Sequence, residues 1–293
     1  MEIRKVVSFM KYIIKELEEL SLKQHLIALD LDGTLLTDDK NISLRNRGII
    51  GKLRELGHKV VIATGRPYRA SKDYYFELML DSPIVNFNGA YIHHPTNPKD
   101  FHTEHTPLDV KTAKTIIKTC EAFRVQNIMV EIMDEYYLRY KNKGFSDAFT
   151  LGQSPVEYGN LQELLQVDPT SILIHPEEEN HQELKGLLAS SHAEVIEQRS
   201  WGAPWNVIEI VKAGLNKAVG LKRISEYYKI PPERIIAFGD EDNDLEMLEY
   251  AGCGVAMGNA IDELKIVANE VTSTNEEDGI AVFLEEYFNL QKQ

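Results

Sequence analysis

Cysteine is scarce: Cys120 and Cys253 are the only two in 293 residues, and they lie far apart. No CxxC pair exists, which excludes a disulfide framework and a thiolate metal site and points to a reducing cytoplasm. Long apolar runs are missing as well. None approaches the ~18 residues a membrane-spanning helix needs. Basic residues are in the minority, 32 Lys and Arg against 46 Asp and Glu, for a formal net charge of −14. So acidic a surface repels nucleic-acid phosphates and anionic membranes. It leaves a phosphorylated small molecule open as a partner, because a metal ion and a few cations can reverse the field inside one cleft. There is no low-complexity tract and no repeat of solenoid length.

What is present is an ordinary globular composition, 43% hydrophobic and 27% charged, sufficient for one large or two medium domains. In residues 1–22, Val6, Phe9, Met10, Ile13, Leu17 and Leu20 recur at helical spacing among Lys and Glu. This predicts an amphipathic helix packed on the body of the protein, with a dimer contact or a membrane surface as alternatives. A signal peptide would need an unbroken apolar stretch and a small-residue cleavage site, and neither is there.

Short apolar runs ending in polar residues mark the next part. His25 to Asp30, Val60 to Ala63 and Ile84 to Phe87 read as buried strands. Ser43 offers an N-cap to a helix carrying Ile49, Ile50, Leu53 and Leu56, with Gly57 as its stop. Strands alternating with helices predict a parallel sheet covered on both faces. From about Tyr91 to Val211 the pattern changes to strand pairs around Ile128–Ile132, Tyr136–Tyr140, Ser171–His175, Ala193–Glu197 and Asn206–Val211. Helices over residues 109–124 and 178–188 accompany them. The α/β pattern resumes near Leu215, with strands at Ile235–Phe238 and Gly254–Met257 and a helix over Leu245–Tyr250. The expected architecture is a Rossmann-like α/β core, residues 23–90 and 212–293, with an α+β domain inserted at 91–211.

The chemistry-bearing residues cluster after strands. Asp30-Leu31-Asp32-Gly33-Thr34 follows the first, at the sheet edge where open α/β folds bind ligands. Two carboxylates at i and i+2 can reach one point once Gly33 lets the chain turn: one attacks phosphorus while the other handles protons. By itself the pentapeptide also fits a plain Asp-Gly turn. Gly239-Asp240-Glu241-Asp242-Asn243-Asp244 again follows a strand and suits a hard cation. An EF-hand loop counted from Asp240 would need Gly and Glu where Leu245 and Ala251 stand. Thr64-Gly65 after the second strand offers a hydroxyl and backbone N–H groups to phosphate oxygens, or is simply a turn. Lys217 opens a helix and, taken alone, is a solvated charge. His93 and His94 are adjacent on a strand and point apart, which argues against a metal pair. Trp201 and Trp205 are assigned to core or hinge packing, with stacking on a substrate ring as the alternative, and Tyr136, Tyr137 and Arg139 are left uncommitted.

Together, and in this order, Asp30-Leu31-Asp32-Gly33-Thr34, Thr64, Lys217 and Gly239-Asp240-x-x-Asn243-Asp244 resemble the four motifs of the haloacid dehalogenase superfamily. Thr64-Gly65-Arg66, Asn88-Gly89-Ala90 and Val255 to Ala260 are similar to patterns of its Cof-like branch, and the insertion is similar to that branch's large cap. The resemblance spans roughly residues 25–288 and omits the N-terminal helix. It implies a Mg²⁺-dependent phosphatase with an aspartyl-phosphate intermediate. Asp30 would be the nucleophile and Asp32 the acid and base. Asp30, the Asp32 carbonyl and Asp240 would ligate the metal, with Asp244 and Glu241 in support. The Leu31 backbone, Thr64, Gly65, Lys217 and Asn243 would hold the phosphoryl group. Arg66 and Asn88 are candidate substrate contacts. Sugar phosphates, a flavin or flavin-precursor phosphate and pyridoxal phosphate all suit the branch. A phosphotransferase or mutase on the same fold, or a non-enzymatic sensor of a phosphometabolite, is the alternative. The chain is expected to be a cytoplasmic monomer or homodimer.

Overall fold

The computed structural model describes residues 24–290, apart from 124, 142–144, 146–149, 151–153, 193–195 and 202–205. The expected N-terminal helix and Trp205 therefore lie outside the described residues. In chain order the strands are β1 (Leu26–Leu29), β2 (Lys59–Ile62), β3 (Ile84–Asn86), β4 (Tyr91–His93), β5 (Glu104–His105), β6 (Asn127–Ile132) and β7 (Glu135–Leu138). They continue as β8 (Glu157–Tyr158), β9 (Ser171–His175), β10 (Ile196–Trp201), β11 (Val207–Lys212), β12 (Ile235–Gly239), β13 (Cys253–Ala256) and β14 (Glu270–Val271). The chain forms two compact units, one made of residues up to Ile62 and from Leu221 onward, the other of Ala63–Gly220.

The first unit is built on a parallel sheet of order β14-β13-β12-β1-β2. All four residues of β1 and all five of β12 are buried, as strands covered on both faces must be. The first helix spans Leu44–Glu55, and the Ser43 side chain caps it by accepting from the Asn46 N–H. Asn46, Ile49, Ile50 and Leu53 form its buried face. Leu56, predicted to join that face, sits at the C-cap and is exposed. Gly57 takes φ +90 and ends the helix, a conformation that costs glycine little.

The second unit holds an antiparallel-dominated sheet of order β10-β11-β9-β6-β7-β8. Ala113, Ile116, Ile117 and Cys120 recur along helix Val110–Ala122 and pack on alternate residues Ile128, Val130, Ile172, Ile174, Ile208 and Ile210. Helical spacing of 3.6 thus meets strand spacing of 2 on one sheet face. Burial pushes the Cys120 thiol up to about 12, so it acts as a small apolar side chain. The other face carries Met129, Tyr136, Leu138, Leu173 and Val207.

One strand departs from expectation. Ile84–Asn86 joins a three-stranded antiparallel sheet with β4 and β5, and meets the segment after β2 through a parallel bridge, Ala63 to Val85, with the Thr64 N–H donating to the Val85 carbonyl at 3.0 Å. Phe87, predicted as its last residue, has φ 50 and opens a turn instead.

A buried ion pair ties residues of this unit together. Arg69 donates to Glu131 on β6, and both are almost fully buried. The second Glu131 oxygen accepts from Ser171 Oγ at 2.6 Å, and the guanidinium lies 5.2 Å from the Tyr136 ring. Removing one member strands the other charge in a dry site. Glu131→Ala is expected to cost about 3–5 kcal/mol in urea unfolding, more than truncating exposed Glu135 on the neighbouring strand.

His93 is buried on β4 between Tyr68, edge-on at 4.5 Å, and Tyr91, stacked at 4.4 Å. Burial, with His94 adding repulsion, lowers its pKa from 6.5 to about 4. The unfolded chain therefore binds this proton first. Stability from keeping His93 neutral is complete above pH 6.5 and lost as pH falls toward 4. His93→Phe should flatten that part of the stability profile by on the order of 2–3 kcal/mol, measured by urea unfolding at neutral pH and near pH 4.5.

Candidate active site

β1 and β12 pair in parallel with Leu29 opposite Phe238. That register brings their carboxyl ends level, and the next residues are Asp30 on one strand and, after Gly239, Asp240 on the other. The Asp30 N–H donates to the Phe238 carbonyl at 3.2 Å. β1 lies where the sheet continues to β2 on one side and to β12 on the other, the switch-point position at which α/β sheets open a crevice.

Asp30, Asp240 and Asp244 are buried, and one carboxylate oxygen from each lies within 4.8 Å of the others. Among the described residues this is the one group able to hold a metal ion through three side chains. Local hydrogen bonds fix it. Thr34 Oγ1 donates to Asp240 Oδ1 at 2.8 Å. Asp244 Oδ2 accepts from the backbone N–H groups of Asp240, at 3.0 Å, and Glu241, at 3.2 Å. Gly33 has φ +71, and a Cβ there would stand 2.0 Å from Asp240 Oδ2. An all-oxygen donor set closed down on a glycine fits a hard divalent cation such as Mg²⁺.

Asp32 is outside this cluster. Its Oδ1 pairs with Lys40 Nζ at 2.8 Å, both side chains half exposed. Leu31 is buried, Asn243 is partly buried and Glu241 is exposed. The remaining predicted residues lie in the second unit. Thr64, Asn88 and Lys217 are buried there, Gly65 and Arg66 partly so. The Asn88 N–H donates to the Thr64 carbonyl at 3.1 Å, and a Cβ on Gly65 would stand 3.1 Å from Asn88 Nδ2. Phe87, Asn88 and Gly89 have φ of 50, 51 and 100, three left-handed residues in a row. The Asn86 amide holds this turn by donating to the Arg66 carbonyl and Ser71 Oγ, both at 2.9 Å. Gly89 lies against the Asn216 carbonyl, 2.4 Å from where its Cβ would be, which puts the turn beside the residue preceding Lys217. Thr64, Gly65, Asn88 and the start of helix Lys217–Tyr228 thus form one constellation.

His93 and His94 have separate surroundings: the first lies between tyrosine rings, and the second accepts from the Asn97 N–H at 3.2 Å. Sequence reasoning missed Lys40, Thr34 as a donor to Asp240, and Asn259, whose amide donates to the Gly33 carbonyl at 2.8 Å. The Asp38-Asp39-Lys40-Asn41 turn composition was the one visible sign of the first.

Thr34→Val removes the hydroxyl donor to Asp240 while keeping the shape. It is expected to weaken Mg²⁺ binding about tenfold or more, as loss of a ligand's supporting hydrogen bond does, read by calorimetric titration. Gly33→Ala should weaken it further.

The haloacid dehalogenase-like hydrolase family matches residues 27–284. A 5-amino-6-(5-phospho-D-ribitylamino)uracil phosphatase of Bacillus subtilis, YitU, is 54% identical over 268 residues, covering 92% of this chain and 99% of that one. The pyridoxal phosphate phosphatase YbhA of Escherichia coli is 29% identical, covering 88% and 96%. The crystal structure of a haloacid dehalogenase-like hydrolase from Bacteroides thetaiotaomicron superposes with a TM-score of 0.80 at 27% identity, covering 91% of this chain and all of that one. The motif order, the carboxylate cluster at the ends of β1 and β12 and these likenesses agree: the chain belongs to the haloacid dehalogenase-like hydrolase family and is a phosphatase.

Proposed function

We propose that this phosphatase hydrolyses the phosphate ester of a ribitylaminouracil, the compound named for its relative at 54% identity, through a phosphoaspartate on Asp30. The observation that carries the chemistry is the buried carboxylate group of Asp30, Asp240 and Asp244. Identity of this extent over nearly the whole of both chains supports the substrate class.

Asp30 attacks phosphorus in line with the ester oxygen. As the new Asp30–phosphorus bond forms, the ester bond breaks and Asp32 gives its proton to the departing ribityl oxygen. Asp32 then takes a proton from water, which attacks phosphorus, and inorganic phosphate leaves as Asp30 is regenerated. Thr64, the Gly65 and Leu31 backbone N–H groups, Asn243 and Lys217 hold the phosphoryl oxygens. Their work is positioning and charge stabilisation, which dominate phosphoryl transfer. Asp30, Asp240 and the Asp32 carbonyl hold Mg²⁺, with Asp244 beside them. When bound, the ion supplies positive charge that lets an anionic nucleophile approach an anionic phosphate. Residues 91–211 act as the cap that reads the leaving group, with Arg66 and Asn88 at its border. Gly89 and Gly214, at φ +100 and +79, flank residues 91–211 and suit hinges.

The test is phosphate release from 5-amino-6-(5-phospho-D-ribitylamino)uracil, pyridoxal 5′-phosphate and a sugar-phosphate panel, with no second acceptor. The expected outcome is the highest kcat/KM on the first, loss of activity in chelator, and recovery with Mg²⁺. Asp30→Asn should lower kcat by about three orders of magnitude or more while the fold is kept. Undiminished turnover in that variant, or transfer only to an added sugar, would overturn the mechanism. Preference for another ester would overturn the substrate assignment alone.

A further inference from the structure

Lys40 is not among the residues the motifs single out. It is the left-handed residue of a tight turn, with φ 60, and its ammonium meets Asp32 Oδ1 at 2.8 Å. A lysine adopts that backbone conformation only where its surroundings impose it. Here they do. Lys40 N–H donates to the Thr37 carbonyl at 2.8 Å, and Thr37 N–H to the Asn41 carbonyl at 3.0 Å. Leu36 bridges Ile42 across the turn and Asp32 at its base.

A second stretch of chain braces the turn from outside. Asn275, buried, donates to the Leu36 carbonyl at 3.0 Å. Glu276 accepts from the Asp38 N–H at 2.6 Å. Asn259 donates to the Gly33 carbonyl at 2.8 Å and accepts from the Asn275 N–H at 3.0 Å. A reciprocal capping box between Thr274 and Glu277 fixes the short helix that presents Asn275 and Glu276. The two ends of the Asp32-to-Lys40 segment are therefore held by one polar frame.

The pair itself is half exposed, 53% for Lys40 and 42% for Asp32. Ion pairs this open add little to stability, so the frame is out of proportion to a stabilising role. A group that exchanges protons gains from a fixed direction, since misplacement by about 1 Å can cost a hundredfold in rate.

We propose that Lys40 is a positioning residue for Asp32. By holding Oδ1 it fixes the plane of the carboxyl group for proton exchange with the leaving oxygen, and later with water. This rests on Asp32 being the acid and base of the mechanism above.

The test exploits leaving-group chemistry. An alkoxide leaving from ribitol 5-phosphate needs a proton as the ester bond breaks, whereas p-nitrophenolate does not. The ratio kcat/KM reports only steps up to that cleavage. Lys40→Met is expected to lower kcat/KM about tenfold or more on ribitol 5-phosphate and about threefold or less on p-nitrophenyl phosphate, with KM little changed. Lys40→Arg, which keeps a cation at the turn, should restore most of the loss. An equal fall on both esters, or no fall on either, in a variant whose melting curve matches the parent, overturns the proposal. Asp32→Asn separates the layers: it should show the same selectivity more strongly. Were Asp32→Asn to hit both esters alike, the reading of Asp32 as the acid would fail. Selectivity in Asp32→Asn but not in Lys40→Met would reject Lys40 alone.

Discussion

Burying Asp30, Asp240 and Asp244 with oxygens within 4.8 Å of one another is the constraint around which the first unit is organised. Two like charges at 4 Å repel by about 4 kcal/mol even at an effective dielectric of 20, and the chain as a whole already carries −14. Nothing in carboxylate chemistry holds such a group together. The sheet does: parallel pairing of β1 with β12 fixes where both strands end, and the residues that follow have no freedom to separate. Hydrogen bonds then meet individual oxygens, from Thr34 to Asp240 and from two backbone N–H groups to Asp244. These donors soften the repulsion without removing it. In the mechanism proposed above a hard divalent cation would complete the balance, and a Cβ on Gly33 would press into the Asp240 carboxylate that is to hold it.

The same economy explains why the polar residues near the site bond mostly to backbone. Asn259 and Asn275 address the carbonyls of Gly33 and Leu36, and Asn86 addresses that of Arg66. Loops that leave strand ends at a crevice carry peptide groups with no ladder partner, and a buried unpaired peptide group is costly. A side-chain amide satisfies the group and also freezes the loop.

How much of this was legible in the sequence follows from the same physics. Strands buried on both faces read as unbroken apolar runs, so Leu26–Leu29 and Ile235–Gly239 were visible, and with them the placement of Asp30 and Asp240 at their ends. The cap of Ser43 and the helix from Leu245 to Tyr250 were equally plain. Ile84–Asn86 has the composition of a core strand, yet its partners are β4 and β5. Composition reports burial, not which strands pair. Strands of two residues, such as Glu104–His105, Glu157–Tyr158 and Glu270–Val271, carry too few positions for any period to register. Roles for Asp32, Thr64 and Lys217 came from motif order, not from local pattern, since each residue alone suits a turn or a solvated helix end.

What the sequence hid is chiefly backbone hand. Phe87 and Asn88 are left-handed, as is Lys40, and only asparagine among them has a composition that hints at it. Each such residue costs on the order of 1–2 kcal/mol relative to a right-handed alternative. All three are held by hydrogen bonds from residues distant in sequence or across a turn, which is a property of the folded chain and not of a window along it. The cost has a common return. A right-handed residue at position 88 would carry the asparagine away from Gly65, and one at position 40 would carry the ammonium away from Asp32. Where a reaction needs a side chain at one point, and the nearest regular element ends short of it, a strained turn supplies the missing direction. Left-handed backbone also stands at Met79, Lys229 and Asn289, just beyond helix ends, where it only closes a helix; at positions 40 and 88 it gains a further use from where it sends the side chain.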